Sequence, residues 1–338
     1  MICPSELNAQ TKKRTHMQKF SIIIPVYFNE PNLPLLLKRL TGLQEKLPGY
    51  ILEMIFVDDG SNDKSFKILA HAQRNDSRIK VIKLSKNFGS MSALQAGLMF
   101  ATGDCAGIIA ADLQDPPELF GAMLSKWENG SKVIMAQRQE RKDSFFQKLC
   151  SKIYYHLLRV FALPGYPIGG FDFVLIDRQV VDELNTIAEK NTNIMNLIYW
   201  LGHARDCVTY VRQERAHGTS KWTWSKKLKL FIDSFVNFSY IPIRLISVIG
   251  LITAMMSFAL ACYVLFLWFF VDIPVQGWAT LVALITMLLG LIMVMLGIIG
   301  EYLWRILDEC RKRPSFVIDQ VLMDETLKHN SNPKVPHA

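Results

Sequence analysis

Two stretches of the chain decide its fold: residues 20–30, FSIIIPVYFNE, and residues 52–63, LEMIFVDDGSND. Each is a run of β-branched and other apolar residues that ends abruptly in polar side chains. That composition is typical of a strand buried on both faces of a sheet and followed by a loop at its carboxyl end. We therefore predict strands at Ser21–Val26 and Leu52–Val57, with their polar ends side by side.

The same pattern continues further along the chain. Three more runs predict strands, at Lys80–Leu84, Ala106–Ala110 and Lys132–Ala136. The amphipathic stretches predict helices at Leu33–Leu47, Asp63–Arg74, Met91–Ala101, Pro117–Asn129 and Phe145–Phe161. This alternation predicts an α/β domain of βαβ units around a mainly parallel, Rossmann-like sheet. Because ligands of such sheets bind beyond the carboxyl ends of the strands, the polar residues there are the candidates for function.

Asp58 and Asp59 directly follow the second strand and are followed by Gly60. One interpretation is local, with Asp-Gly forming a tight turn and Asn62 or Asp63 capping the next helix. The other is functional, because a carboxylate at a strand end can accept hydrogen bonds from the base or ribose of a nucleotide. Both interpretations stay open on these residues alone.

The fourth strand runs into residues 110–118, AADLQDPPE. Asp112 and Gln114 can share a hard cation with a diphosphate, since Mg²⁺ takes one or two carboxylates and completes its shell with phosphate oxygens and water. The stretch is equally compatible with a plain helix start, in which Asp115 is the cap and proline occupies the first turn.

Hydrophobic residues make up 50% of the 338 residues, and they are spread unevenly. No charged residue occurs from Leu245 to Val271 or from Ile273 to Gly300. Each run exceeds the roughly 20 residues that a helix needs to cross a bilayer. The sequence predicts two transmembrane helices, and the competing interpretation is a buried helical hairpin of a soluble domain.

Basic residues flank this hairpin on its outer sides, whereas its connecting loop has none. They are Lys226, Lys227, Lys229 and Arg244 before it, and Arg305, Arg311, Lys312 and Arg313 after it. The positive-inside rule then predicts a multi-pass protein of the inner (plasma) membrane with its first domain in the cytoplasm. The net charge of +8 is assigned to anionic lipids and not to nucleic acid. Six scattered cysteines without paired spacing fit a reducing compartment.

Residues 225–244 have apolar side chains at helical spacing and lysines on the other side. This pattern predicts an interfacial amphipathic helix, and the alternative is a helix that faces the core of the soluble domain. The predicted organisation is a disordered tail at 1–18, an α/β domain at 19–224, the interfacial helix at 225–244, two transmembrane helices at 245–304 and a cytoplasmic tail at 305–338.

Seven stretches together resemble, in order, the inverting family 2 glycosyltransferases of the GT-A fold, in the branch that uses polyprenyl phosphates. They are PVYFNE, FVDDGSND, LSKNFG, LQAGLMFATGD, ADLQDPPE, GGFDFVLIDR and HGTSKW. The branch includes dolichyl-phosphate mannose synthase and the bactoprenol glucosyltransferases, and the two-helix hairpin resembles the latter. The resemblance covers about Phe20 to Ile318.

The resemblance implies roles for individual residues. The nucleotide would be held by Pro25, Tyr27, Glu30, Asp58, Asn87 and Gly89. A cofactor, Mg²⁺ or Mn²⁺, would be taken by Asp112 and Gln114. The candidate catalytic residues are Asp112, Arg138 facing the phosphates, and Asp172 beside the reacting centre. The phosphate of the acceptor would contact Arg215, Ser220 and Lys221.

The implied reaction is inverting transfer of a hexose, foremost glucose from UDP-glucose, to an undecaprenyl- or dolichyl-type phosphate for extracytoplasmic glycan modification such as that of the O-antigen. The partners are then a nucleotide sugar, a polyprenyl phosphate and membrane lipids. Because a phosphate monoester is largely dianionic at neutral pH, the acceptor needs little help from a base, and cations are expected to matter most. Asp172 would orient the acceptor or stabilise positive charge on the sugar ring.

Two departures from the family pattern stand out. Ala110 occupies a position where relatives commonly have an acidic residue, and Lys86 stands where they often have arginine. The first departure motivates an alternative, a catalytically weak, membrane-anchored protein that binds nucleotide sugars or acts as a scaffold. A processive polysaccharide synthase fits less well, since the chain lacks the Gln-x-x-Arg-Trp motif. The sequence is also compatible with a homo-oligomer, in which Ser315–Leu322 would extend onto a neighbouring subunit.

Overall fold

A computed structural model describes residues 17–139, 145–187, 189, 192–213, 233–234, 236–239, 241–270 and 277–324. Within them lie eight strands, β1 Gln18–Val26, β2 Tyr50–Asp58, β3 Ile79–Leu84, β4 Cys105–Ile108, β5 Val133–Arg138, β6 Val174–Asp177, β7 Arg205–Tyr210 and β8 Ile318–Leu322. They form one sheet in the order β7-β5-β6-β4-β1-β2-β3-β8. Strands β6 and β8 run antiparallel to their neighbours, and the other pairs are parallel. The prediction of a mainly parallel α/β sheet is confirmed.

The described helices are α1 Leu33–Lys46, α2 Ser65–Asn75, α3 Ser90–Phe100, α4 Phe120–Glu128, α5 Phe145–Phe161, α6 Arg178–Thr186, α7 Ile194–Trp200, α8 Ile241–Phe270 and α9 Trp278–Cys310. A 3₁₀ turn at Pro117–Leu119 precedes α4. Successive residues of each strand face opposite layers, so Ile23 packs in one layer with α3, α6 and α7. Ile22 and Ile24 pack in the other with α1 and α4. This alternation explains why the central strands are apolar throughout.

The first five strands and the first five helices lie where the sequence predicts them, within a few residues at each end. Strands β6, β7 and β8 and helices α6 and α7 were not predicted. Of the predicted interfacial helix at 225–244, residues 225–232 lie outside the described part, and α8 already begins at Ile241.

Helices α8 and α9 are long and apolar enough to cross a membrane, as predicted. Their most apolar windows are Ile243–Leu260 and Met287–Cys310, each with a mean hydropathy of 2.0. Only 6% and 0% of these windows are buried, which speaks against the alternative of a hairpin in the core of a soluble domain.

Strand β8 differs from the expectation that Ser315–Leu322 extends onto a neighbouring subunit. Ile318–Leu322 instead pairs antiparallel with β3 of the same chain. The preceding residues are fixed as well, because the Ser315 hydroxyl donates to Gln95 Oε1 at 2.9 Å and Phe316 is buried in the layer that contains α3. The sheet of the α/β domain therefore includes a strand from the segment that was predicted to be a tail.

Candidate active site

The carboxyl edge of the sheet collects the polar residues that were predicted to act together. Strands β4, β1, β2 and β3 are neighbours and run parallel, so the loops after them lie side by side. The residues predicted for the nucleotide lie at the ends of β1 and β2 or in the loops after β1 and β3, and the Asp112 segment follows β4. Because β6 runs antiparallel, Asp172 before it reaches the same edge as Arg138 at the end of β5.

Asp58 is the last residue of β2 and is fully buried. Its Oδ1 accepts from the backbone N–H of Ser61 at 3.4 Å, whereas its Oδ2 has no hydrogen-bond partner among the described residues. Burial raises the pKa of Asp58. A buried acceptor without a donor is costly unless a ligand supplies one, so this oxygen is suited to an N–H or O–H group of a bound molecule.

Asp59 has a structural role, although it is adjacent to Asp58. Its two carboxylate oxygens accept from the backbone N–H groups of Phe88 at 2.7 Å and Gly89 at 2.9 Å. Gly60 brings the same loop close, since a Cβ added there would lie 2.6 Å from the carbonyl carbon of Lys86. Asp59 and Gly60 therefore have a structural role, in which Asp59 holds the loop that contains Asn87 and Gly89, whereas hydrogen bonding of this stretch to a nucleotide stays a prediction.

The loop after β1 is tied to the loop after β2. Phe28, at φ 54°, donates its N–H to Ser61 Oγ at 3.1 Å, and the N–H of Lys64 donates to Glu30 Oε2 at 3.0 Å. Glu30 thus supports the neighbouring loop. Pro25 and Tyr27 lie at the same edge, where Pro25 is paired with Val57 of β2. Contact of these residues with a nucleotide stays a prediction.

The segment after β4 turns sharply at Leu113, which is buried with φ at 63°. The backbone N–H of Gln114 donates to Asp112 Oδ1 at 3.3 Å. Asp115 is 1% exposed, and its Oδ1 accepts from the Tyr210 hydroxyl at 2.5 Å. Burial raises the pKa of Asp115. Asp112 is therefore the carboxylate of this turn that lies nearer to solvent, while Asp115 is directed inward.

Arg138 and Asp172 form an ion pair, with Arg138 Nη2 2.5 Å from Asp172 Oδ2. The Arg138 side chain is 15% exposed and that of Asp172 is 67% exposed. Burial alone would lower the pKa of Arg138, but Asp172 and Tyr210 raise it, so the guanidinium stays charged. The pair presents a fixed carboxylate at the open side of the site, next to a cation suited to phosphate.

Arg212 belongs to this site and was not predicted. Its Nε lies 3.2 Å from Asp115 Oδ1 and its Nη2 lies 4.0 Å from Asp112 Oδ2. Arg212 stands two residues beyond the end of β7, at the same edge as the other strand ends, and only the position of β7 marks it as a site residue. The short strand itself was missed, so its polar end was missed with it.

The residues predicted for the acceptor phosphate, Arg215, Ser220 and Lys221, lie outside the described part of the chain. Among the described residues, no group of three His, Cys, Asp or Glu side chains is placed to hold a metal ion. The oxygens of Asp112 and Gln114 nevertheless suit Mg²⁺ or Mn²⁺ if a diphosphate supplies the remaining ligands. The donor set therefore fits a metal shared with a ligand and not one enclosed by protein alone.

The mainly parallel sheet with its acidic carboxyl edge forms a GT-A-type α/β domain, here followed by two apolar helices. The profile of the family described as "Glycosyl transferase family 2" matches residues 21–185. The "uncharacterized glycosyltransferase YkcC" of Bacillus subtilis is 38% identical over 306 residues, covering 90% of this chain and 94% of the relative. The chain belongs to glycosyl transferase family 2 and is a glycosyltransferase.

Two further similarities describe the wider group. The "SfII prophage-derived bactoprenol glucosyl transferase" of Shigella flexneri is 31% identical over 316 residues, covering 93% of this chain and all of the relative. Among solved structures, the mannosyltransferase PcManGT from Pyrobaculum calidifontis, in complex with GDP-Man and Mn²⁺, is 17% identical with a TM-score of 0.42. That match covers 60% of this chain and 58% of the other.

Proposed function

We propose that this glycosyltransferase transfers a hexose, foremost glucose from UDP-glucose, to a polyprenyl phosphate of the undecaprenyl or dolichyl type, with inversion at the anomeric carbon. The observation that carries the proposal is the full-length similarity to the Shigella flexneri protein named for bactoprenol and glucose, which includes the hairpin as well as the domain. The product would be a lipid-linked sugar for glycan modification outside the cytoplasm.

The donor side of the proposal is supported by the buried strand ends. Asp58 Oδ2 offers an unpartnered buried acceptor, which a nucleobase or ribose can satisfy with an N–H or O–H donor. The loop that contains Asn87 and Gly89 is held against Asp59 in the same place. Asp112 lies in the loop after β4, separated from β2 by β1 alone, where the diphosphate of the same nucleotide would come to rest.

The acceptor side is supported by the position of the helices. A polyprenyl phosphate keeps its tail in the bilayer, so its phosphate is available only at the membrane surface. Ser234, which lies before α8, shares a hydrogen bond of 2.8 Å with Tyr154 of α5. This contact attaches the chain before the hairpin to the α/β domain. The basic residues on both sides of the hairpin favour a cytoplasmic domain in an inner (plasma) membrane protein. Arg215, Ser220 and Lys221, beyond β7, are proposed to contact the acceptor phosphate.

The chemistry is a single in-line displacement. The dianionic acceptor oxygen forms the bond to the anomeric carbon as the bond to the nucleoside diphosphate breaks, and no proton has to be removed first. Arg138 and the cations of the acceptor segment would offset the charge of two approaching anions. Asp172, fixed by its ion pair with Arg138, would orient the acceptor or stabilise positive charge on the sugar ring.

A divalent metal, Mg²⁺ or Mn²⁺, is proposed to be held by Asp112 and Gln114 together with the donor diphosphate. When bound, it would supply positive charge for the departing diphosphate. With Ala110 in place of an acid, Asp112 is the main protein ligand from this turn. The chain's own contribution is to hold that carboxylate in the sharp turn at Leu113.

The test is a transfer assay with the purified full-length chain in nanodiscs that contain undecaprenyl phosphate. UDP-glucose, UDP-galactose, UDP-N-acetylglucosamine and GDP-mannose are supplied in turn, and the lipid product is measured by mass spectrometry. We expect a lipid-linked hexose with UDP-glucose as the best donor. Binding of the nucleotide sugars without any lipid product would instead favour the binding or scaffold protein that Ala110 suggested.

A further inference from the structure

Buried Asp115 and Tyr210 form a polar cluster with half-buried Arg212 beside the Asp112 turn, and the proposed reaction uses none of the three directly. Asp115 Oδ1 accepts a hydrogen bond from the Tyr210 hydroxyl at 2.5 Å and forms an ion pair with Arg212, whose Nε lies 3.2 Å away without donating a hydrogen bond to a described residue. Its Oδ2 is buried and has no hydrogen-bond partner among the described residues. Since a buried ion pair contributes little net stability compared with apolar packing, such a cluster indicates a role in fixing geometry.

Residues 210–213, at the end of β7, are hydrogen-bonded to the turn that contains Asp112. The backbone N–H of Gln213 donates to the carbonyl of Gln114 at 3.0 Å, and Gln114 Nε2 donates back to the carbonyl of Gln213 at 3.3 Å. The left-handed backbone of buried Leu113 needs surroundings that hold it, because a leucine rarely adopts it on its own. Residues 210–213 are part of those surroundings.

We propose that Arg212 is a positioning residue: held beside buried Asp115 as an ion pair, it orients the Asp112 carboxylate toward the donor diphosphate. The guanidinium fits this role because it is planar and presents several N–H donors, so one end lies against Asp115 while Nη2 lies 4.0 Å from Asp112. A lysine ammonium cannot fix two carboxylates in the same way. The inference rests on the proposed function, because it presupposes a nucleoside diphosphate beside Asp112.

The test measures nucleotide binding and not turnover. The full-length chain in nanodiscs is titrated by calorimetry with UDP, GDP and ADP, in Mn²⁺ and in EDTA, and the nucleotide that wild type binds most tightly is kept for the variants. Arg212→Gln should weaken binding in Mn²⁺ by about tenfold, as is usual when the support of a metal ligand is removed. Binding in EDTA should stay within about twofold, because the Asp58 end of the site is unchanged.

Asp115→Asn should show the same metal-dependent loss, and the double variant should lose no more than either single variant, since the two side chains act as one unit. Arg212→Lys keeps the buried charge balanced and should give an intermediate loss. The matched control is Arg205→Gln, which removes a positive charge from the other end of β7, where Arg205 lies over the ring of Tyr199. This control should bind like wild type in both conditions.

The outcomes separate the two proposals. If wild type binds a nucleotide with an affinity that does not depend on Mn²⁺, or if Arg212→Gln and Arg212→Lys lose affinity equally in Mn²⁺ and in EDTA, the positioning role is wrong while the glycosyltransferase proposal stands. An Arg212→Gln variant that binds like wild type in Mn²⁺ also overturns the role. If wild type binds none of the three nucleotides, both proposals are contradicted.

Discussion

Asp58 and Asp59 are adjacent and buried, yet their environments differ in a way that mutation can separate. Both oxygens of the Asp59 carboxylate accept hydrogen bonds from backbone N–H groups, whereas one oxygen of Asp58 has no hydrogen-bond partner among the described residues. Burial raises the pKa of both groups. Asp59 is therefore part of the fold, whereas Asp58 has a buried oxygen that is proposed to accept from a ligand.

We predict opposite effects for Asp58→Asn and Asp59→Asn. Asp58→Asn should weaken nucleotide binding by about tenfold to a hundredfold, the value of one charge-assisted hydrogen bond, with no loss of stability. Asp59→Asn leaves one buried N–H without its acceptor and should lower the Tm by on the order of 5 °C. Calorimetry with UDP and thermal unfolding measure the two effects. A reversed pattern, with Asp58→Asn unstable and Asp59→Asn stable, would contradict these roles.

Glu53 lies in the first half of β2, away from the carboxyl edge of the sheet where Asp58 lies. It is the centre of a buried network of charged side chains. Its Oε1 lies 2.8 Å from Lys80 Nζ and 2.8 Å from Lys19 Nζ, and Ser21 and Thr102 donate to its carboxylate. Burial alone would raise the pKa of Glu53, but Lys80 and Lys19 more than offset this effect and lower it from 4.5 to about 2. The network is thus stabilising only while Glu53 is ionised.

Because the pKa of Glu53 is lower in the folded than in the unfolded chain, its contribution is complete above about pH 4.5 and is lost as the pH falls toward 2. Glu53→Gln leaves buried Lys80 unpaired and should cost about 3–5 kcal/mol, or on the order of 10 °C in Tm, at neutral pH. Its Tm should also fall less steeply on acidification than that of wild type. The exposed pair Lys126–Asp206 supplies the control, since Asp206→Asn should cost at most about 1 kcal/mol. Equal losses in the two variants would refute this account.

At the scale of elements, β1 to β5 were predictable because each is an apolar run of its own with a polar loop after it. Strand β6 lies within the FDFVLIDR stretch, which was interpreted for its motif and not as a strand. Strand β8 pairs with β3 across more than 200 residues and the whole helical hairpin, so nothing local indicates its partner. The same holds for Arg212, whose place in the site depends on β7 lying beside β5.

The turn after β2 provides a test at this scale. Gly60 has φ at +67°, and a Cβ there would lie 2.6 Å and 2.8 Å from backbone atoms of Lys86 and Asn87. Gly60→Ala should therefore displace the loop at 86–89 and lower both the Tm and the nucleotide affinity, the latter by at least about tenfold. Gly49→Ala is the matched control, because its Cβ would meet no atom within 4 Å, and it should be neutral or slightly stabilising. Normal binding by Gly60→Ala would show that this loop does not shape the site.

At the scale of the whole molecule, the chain returns from the hairpin to the domain it left. Arg305, near the end of α9, lies 2.7 Å from Asp233 Oδ1 and donates to Asn237 Oδ1 at 2.8 Å. The neighbouring Ser234 contacts α5 and α7 through Tyr154 and Asn196. After α9, the carbonyl of Val317 accepts from the N–H of Ser85, just before the loop at 86–89 that Asp59 holds. The helices and the α/β domain are thus joined at two places.

From the contacts of Arg305 with Asp233 and Asn237, we predict that Arg305→Gln impairs transfer of the sugar to the lipid without impairing nucleotide binding. Nucleotide affinity should stay within about twofold, because the donor site is untouched, while transfer to a membrane-embedded acceptor should fall by at least tenfold as the domain loses its fixed position. Arg311→Gln is the control, since Arg311 is exposed at the same helix end and lies over the ring of Trp304. Unchanged transfer in Arg305→Gln, or an equal loss in both variants, would contradict the coupling.

The most direct test of the central claim is the structure of the product. The full-length chain is incubated with UDP-[¹³C]glucose and undecaprenyl phosphate in nanodiscs, and the extracted lipid is examined by NMR for the configuration of its anomeric carbon. A single displacement on the α-linked donor predicts a β-linked glucosyl phosphate on the lipid. An α-linked product, or labelled glucose released without any lipid-linked sugar, would contradict it.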